Sequence, residues 1–228
     1  MRNIASVFDQ MRWSTVFFLG AAALALCSTA QATTFSFNTD PFAGTNVLNT
    51  PGRQVVGGED FISFNPALDV FSMNSSVFGV GQTVNFVNAQ AGNLPSTGVN
   101  IVVLETFDND NNPLTPFGAG QAADLIASHV TTPGPGFFVY FNQSLDLPRL
   151  VFSEDLSSNA ADLKILARML NLNGQGGRDA LPNFTSANFA LTTSATTPEP
   201  STFALMLQVG VLGGFWVCVQ RKRKQRRG

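Results

Sequence analysis

Between positions 33 and 192, apolar residues come in short runs, each broken by Gly, Pro, Asn, Asp or Ser. "TFSFN" from Thr34 alternates apolar and polar positions. "DFISFNPALDVFSM" from Asp60 holds two runs separated by Asn65-Pro66. "SSVFGV" from Ser75 is followed by Gly81, and "QTVNFVN" sets Val84 and Phe86 against Gln82 and Asn85. "GVNIVVLETF" from Gly98 is longer and rich in β-branched residues. "PGPGFFVYFN" from Pro133 follows a rigid turn, "PRLVFS" from Pro148 is short, and "ANFALT" from Ala187 comes last. Apolar runs of this length, with turn residues between them, predict strands. The expected fold class is all-β. A β-sandwich or jelly-roll-like arrangement lets each run bury one face against a second sheet.

Two segments depart from this pattern. "GAGQAADLIASHV" from Gly118 predicts one short helix. "NAADLKILARML" from Asn159 fits two templates. Leu163, Leu166, Ala167 and Leu170 fall on one helical face. Leu163, Ile165, Ala167 and Met169 fall on one strand face, with Asp162, Lys164 and Arg168 opposite. The strand is preferred, because its neighbours look paired and a lone helix needs somewhere to pack. No repeat of fixed period is present.

The two ends follow other rules. "WSTVFFLGAAALALC" from Trp13 is an apolar stretch of signal-peptide length behind a net-positive start containing Arg2 and Arg12. Ala30 and Ala32 then supply the small residues that signal peptidase accepts. Residues 1–32 are therefore expected to be a signal peptide, carried by the Sec machinery and cut after Ala32. The alternative is an uncleaved anchor helix. From Phe203 to Val219 the only polar side chain is Gln208. As a helix this run spans about 25 Å, slightly short of a hydrocarbon core of about 30 Å. It shows no amphipathic period, which argues against a buried core helix. Arg221, Lys222, Arg223, Lys224, Arg226 and Arg227 follow at once, and such cations hold the end of a span on the cytoplasmic side. Residues 201–220 are expected to cross the inner membrane, with 221–228 as a basic cytoplasmic tail. A nucleic-acid role for that tail is set aside, since a membrane anchor leaves it little reach. Gly210 and Gly214 have helix-pairing spacing, which is usually incidental. The remainder divides into an exported domain, 33–191, and a polar linker, 192–200.

Composition sharpens this division. Residues 33–197 hold five basic and 13 acidic side chains. That balance argues against polyanion binding and favours solubility. Both cysteines, Cys27 and Cys218, lie in the flanking segments, so the domain has no disulfide, no Cys nucleophile and no thiolate metal site. Both tryptophans lie outside it as well, and Tyr140 is its only tyrosine. Phenylalanine replaces them, with 16 of 21 inside. Phe has no polar handle, so these rings are expected in the core.

The C-terminal segment resembles the PEP-CTERM sorting signal of Gram-negative bacteria. Pro198-Glu199-Pro200, the apolar span and the basic tail occur in that order at the extreme end of the sequence. The tripeptide alone is a weak motif, and its strength comes from the combination. The resemblance implies recognition by an exosortase, which cuts near the tripeptide and passes the protein toward the cell surface or the extracellular matrix. It also implies a setting of biofilm or exopolysaccharide. The tripeptide's physics agrees, because Pro198 and Pro200 fix φ and push Thr197 and Glu199 toward extended geometry. The domain itself is similar to the uncharacterised passengers that precede such signals, and that likeness carries no activity.

Candidate chemistry in the domain is sparse. His129 is the only histidine in the chain, and no G-x-S-x-G elbow accompanies it. Asp108, Asp110 and Asn112 alternate, a spacing that can point three oxygens at one Ca²⁺. Pro113 stands where that pattern wants Gly, and the competing reading is a turn of Asx side chains bonding their own backbone. Glu59-Asp60 and Glu154-Asp155 offer carboxylates, but adjacent strand residues point to opposite faces. "GVGQTV" from Gly79 lacks the third glycine of a dinucleotide loop and reads as a turn. The expectation is a non-enzymatic surface or matrix protein without a resident cofactor. The alternatives are a glycan-binding or glycan-active surface protein and a Ca²⁺-stabilised adhesion module.

Overall fold

The computed structural model describes residues 31–193, except position 113. The expected signal segment through Ala30, the Pro198-Glu199-Pro200 tripeptide, the apolar run at 201–220 and the basic residues at 221–228 lie outside those residues. Among the described residues, no helix is long and apolar enough to cross a membrane.

The domain is mostly strands in sheets, with few short helices. The strands are β1 (Thr34–Phe37), β2 (Val55–Val56), β3 (Asp60–Ile62), β4 (Val70–Asn74), β5 (Phe86–Ala89), β6 (Ile101–Leu104), β7 (Gly136–Asn142), β8 (Leu147–Ser153), β9 (Leu163–Met169) and β10 (Phe189–Thr192). The helices are α1 (Ser75–Phe78), α2 (Ala119–Ala127) and α3 (Gly174–Ala180).

Two sheets form. The smaller has the order β1-β4-β10, and both pairings are parallel. The larger has the order β2-β9-β8-β7-β6-β5, with β3 also paired to β9. Within it, β7–β8 and β8–β9 are antiparallel, and every other pairing is parallel. A jelly roll is an antiparallel Greek-key arrangement, so this pairing departs from the jelly-roll expectation. The connections explain the difference. Parallel neighbours need a crossover, and the β6–β7 crossover carries α2. Strands β1, β4 and β10 are separated in the chain by strands of the larger sheet.

Parallel strands covered on both faces read as continuous apolar runs. Every residue of β6 and β7 is buried, and alternate side chains enter two different clusters. Ile101, Val103, Phe137, Val139 and Phe141 join Phe71 and Met73 of the smaller sheet. This layer is aromatic. Phe64 stacks on Phe71 at 4.2 Å and on Phe184 at 5.4 Å, while Phe78 sets its edge against Phe137 at 5.0 Å and Phe152 at 4.9 Å. On the other face Val102, Leu104, Phe138 and Tyr140 pack with Phe117, Ala122 and Ile126 of the α2 region. Phe61 and Phe107 depart from the core expectation. They are exposed, with Arg168 and Arg178 over their rings.

Local chemistry sets the ends of the short elements. Asn74 Oδ1 accepts from the Ser76 and Val77 amides at the start of α1, and Gly79, at φ 65°, ends it. The Gly118 amide donates to Gln121 Oε1 at 3.1 Å where α2 begins.

"NAADLKILARML" forms a strand, as expected, but its alternation is broken. The β8–β9 register shifts between Leu150 and Val151, leaving Leu166 as an extra residue in β9. Leu163 and Ile165 consequently enter the α2-side cluster, whereas Leu166, Ala167 and Met169 enter the aromatic one. The single strand face read from the sequence is therefore two half-faces joined by a bulge.

Candidate functional site

A group of charged and polar side chains lies where β7, β8 and β9 run side by side. Arg149 and Arg168 are directly opposite each other across β8 and β9, and Tyr140 is opposite Arg149 across β7 and β8. Glu59, from the turn before β3, receives both guanidiniums on one oxygen. Arg149 Nη2 and Arg168 Nε each donate to Glu59 Oε1 at 2.5 Å. The Glu59 side chain is only 5 % exposed. Asn142 Nδ2 donates to the Tyr140 hydroxyl at 2.9 Å, and Arg149 Nη1 reaches it at 3.5 Å. Among the described residues, Arg149 Nε is buried without a hydrogen-bond partner.

Electrostatics assigns each group a fixed state. Burial pushes the Glu59 carboxyl up, but its own backbone amide, Arg168 and Arg149 outweigh that and hold it at about 2. Burial pushes the Tyr140 phenol up, against the pull of Arg149. Glu59 is thus an anion and Tyr140 a neutral phenol throughout the physiological range. Neither is poised to exchange a proton near neutrality, so the group is built to hold charge in place. Two arginines against one carboxylate leave it one positive charge in excess.

The residues singled out in the sequence are scattered. Asp108, Asp110 and Asn112 do share one exposed loop, but their oxygens turn onto its own backbone. Asp108 Oδ1 accepts from the Asp110 and Asn111 amides, Asp110 Oδ1 from Asn112, and Asn112 Oδ1 from Leu114, all between 2.9 and 3.1 Å. The Thr115 hydroxyl donates to Asp110 Oδ2. Thr115 and the Asn112 amide together lower the Asp110 carboxyl's pKa. This is a ladder of Asx turns. Among the described residues, no group of three or more His, Cys, Asp or Glu side chains is placed to hold a metal ion.

His129 lies in the turn after α2, where its amide donates to Ile126 O, and among the described residues its imidazole makes no hydrogen bond. Glu59 and Asp60 part company, with Glu59 on the arginines and Asp60 in β3. Asp155 Oδ1 accepts from the Ser157 and Gly134 amides. Glu154 is raised by burial and by the negative charge of Asp162. Ala32 is exposed coil just before β1. Ala30, the Pro-Glu-Pro and the basic residues from Arg221 to Arg227 are outside the described residues.

Sequence reasoning missed Arg149 and Arg168 as a pair. The available signal was a lone arginine inside each of two apolar runs, "PRLVF" and "LARML". Such a residue must find an anion nearby.

No protein-family model, curated protein or solved structure matches this chain.

Proposed function

We propose that this chain is an exported cell-surface or extracellular-matrix protein, delivered through a PEP-CTERM-type signal and acting without catalysis. One observation carries the reading: Pro198-Glu199-Pro200, the apolar run from Phe203 and six basic residues stand in that order at the end of the chain. Several features of the domain support it. Among the described residues the last strand closes at Thr192, ahead of the tripeptide in sequence, so cutting there breaks none of the pairings described. Its 13 acidic and five basic residues between 33 and 197 favour dispersion outside the cell. Glu59 and Tyr140, in the group beside Arg149 and Arg168, each keep one charge state near neutrality. A finer reading of the fold accompanies this proposal: two sheets sharing one aromatic layer make a sandwich-like body, tolerant of the linker at its end.

The test uses a host that contains an exosortase. Replacing Pro198, Glu199 and Pro200 by Ala should leave full-length protein in the inner membrane, whereas the wild type loses its basic tail. Equal C-terminal masses for the two proteins refute the sorting assignment.

A further inference from the structure

A buried carboxylate fixes the start of β1. The Thr33 amide donates to Asp69 Oδ1 at 2.7 Å. The Val70 amide donates to the Thr33 carbonyl at 2.9 Å, continuing the ladder in which Thr34 faces Val70. Asp69 is only 6 % exposed. Its second oxygen accepts from the Asn65 amide at 2.8 Å. Its carbonyl accepts from Asn188 Nδ2 at 2.8 Å, and the same Nδ2 reaches Pro66 O at 2.7 Å. Asn65 Oδ1 is occupied by the Ala67 amide. The side chain that donates to Asp69, that of Asn188, is therefore a neutral amide. Among the described residues, no Lys, Arg or His makes an ion pair with it. An anion taken out of water is costly unless a cation accompanies it. Two neutral N–H groups leave that requirement partly unmet.

We propose that Asp69 is the receptor for the α-ammonium group of the mature chain. The inference rests on the export reading, in which the chain is cut after Ala32. Hydrolysis adds water across the Ala32–Thr33 peptide bond. The C–N bond breaks, Ala32 takes the water's oxygen and leaves as a carboxylate, and the Thr33 nitrogen keeps its own proton, takes both of the water's and becomes an ammonium. That nitrogen already sits 2.7 Å from Asp69 Oδ1. The cut replaces a neutral amide donor to the Asp69 carboxylate with a cationic one, turning the hydrogen bond into an ion pair. Thr33 is exposed, so the other ammonium protons face water. The receptor also discriminates by position. A terminus one residue away is displaced by about 3.3 Å along the strand and loses the contact.

The pH dependence has a definite sign. Pairing raises the folded pKa of the ammonium above its ordinary value of about 7.7–8.0. The added stability is complete below that value and is lost as pH rises through the raised one.

The experiment starts from the full chain, expressed and processed in a bacterial envelope and then purified. N-terminal sequencing fixes the cut. The pH midpoint for labelling of the α-amino group by an amine reagent is then measured, folded and in urea. The expected result is a Thr33 start and a folded midpoint about one unit above that in urea, so that labelling at pH 7 is about tenfold slower. In Asp69→Asn the shift should vanish. The wild-type comparison with urea stands even if that variant does not fold. A Thr33 start with equal midpoints overturns the receptor and leaves export standing. A raised midpoint that survives in Asp69→Asn overturns the assignment to Asp69. A mature chain cut at another position overturns the receptor and leaves export standing, whereas a chain that still begins at Met1 overturns both readings.

Discussion

Glu59 shows how a buried charge is kept in this fold. Two guanidiniums converge on one of its oxygens, and its carboxyl lies at about 2 instead of the ordinary 4.5. A depressed carboxylate pKa stabilises the folded state fully above about 4.5, and the contribution is lost as pH falls through about 2. Glu59→Gln should therefore cost about 3 kcal/mol at neutral pH, since it leaves two partly buried cations without their anion. Urea midpoints check the magnitude. The wild type should also lose stability between pH 5 and 2 by an increment that the variant lacks. The calcium question belongs to this scale too. Asp108, Asp110 and Asn112 each spend one side-chain oxygen on backbone amides, so melting temperatures in EDTA and in millimolar calcium should coincide. A rise with calcium, following the logarithm of its concentration, would restore the metal reading. The Asx turn was legible because Asp and Asn carry their own acceptors to the local backbone. The Glu59 network was not, because no local rule says which distant strand will bring Arg149 beside Arg168.

Short strands and the helix α2 could be read from apolar run length, because burial and turn chemistry act over a few residues. The strand direction could not, since a run of Val, Ile and Phe is the same in either pairing. Nor could the β9 bulge, which depends on how β8 presents Leu150 and Val151. Two substitutions probe these elements. A Cβ at Gly136, the first residue of β7, would meet the Leu156 side chain and come within 2.7 Å of Asn100 O. Gly136→Ala should cost about 1–3 kcal/mol through overpacking. Ile126 of α2 is fully buried against the larger sheet. Ile126→Ala should cost about 2–5 kcal/mol through the cavity it leaves. Chemical denaturation of both variants, with an unchanged m-value, would assign the losses to the folded state.

At the scale of the whole molecule, the first and last strands among the described residues share one neighbour. β1 and β10 flank β4, and all three run in the same direction. The aromatic layer beneath them also includes side chains of the seven-stranded sheet. Stability of the larger sheet therefore depends on a strand that the chain supplies only at residues 189–192. This predicts a sharp boundary. A chain ending at Thr193 should melt at the same temperature as a longer one that carries the linker, because every pairing among the described residues is kept. A chain ending at Asn188 loses β10. It uncovers one edge of β4, and it removes Phe189, which packs 5.9 Å from Phe71 and 5.6 Å from Phe86. Deleting one buried Phe side chain alone costs about 3–5 kcal/mol, and typical domains hold only about 5–15 kcal/mol in reserve. The shorter chain should lose its cooperative transition rather than shift it. Thermal melts of the two truncations, followed by far-ultraviolet circular dichroism, decide the matter. A shorter chain that still melts in one sharp step would mean that the seven-stranded sheet folds without its parallel partner.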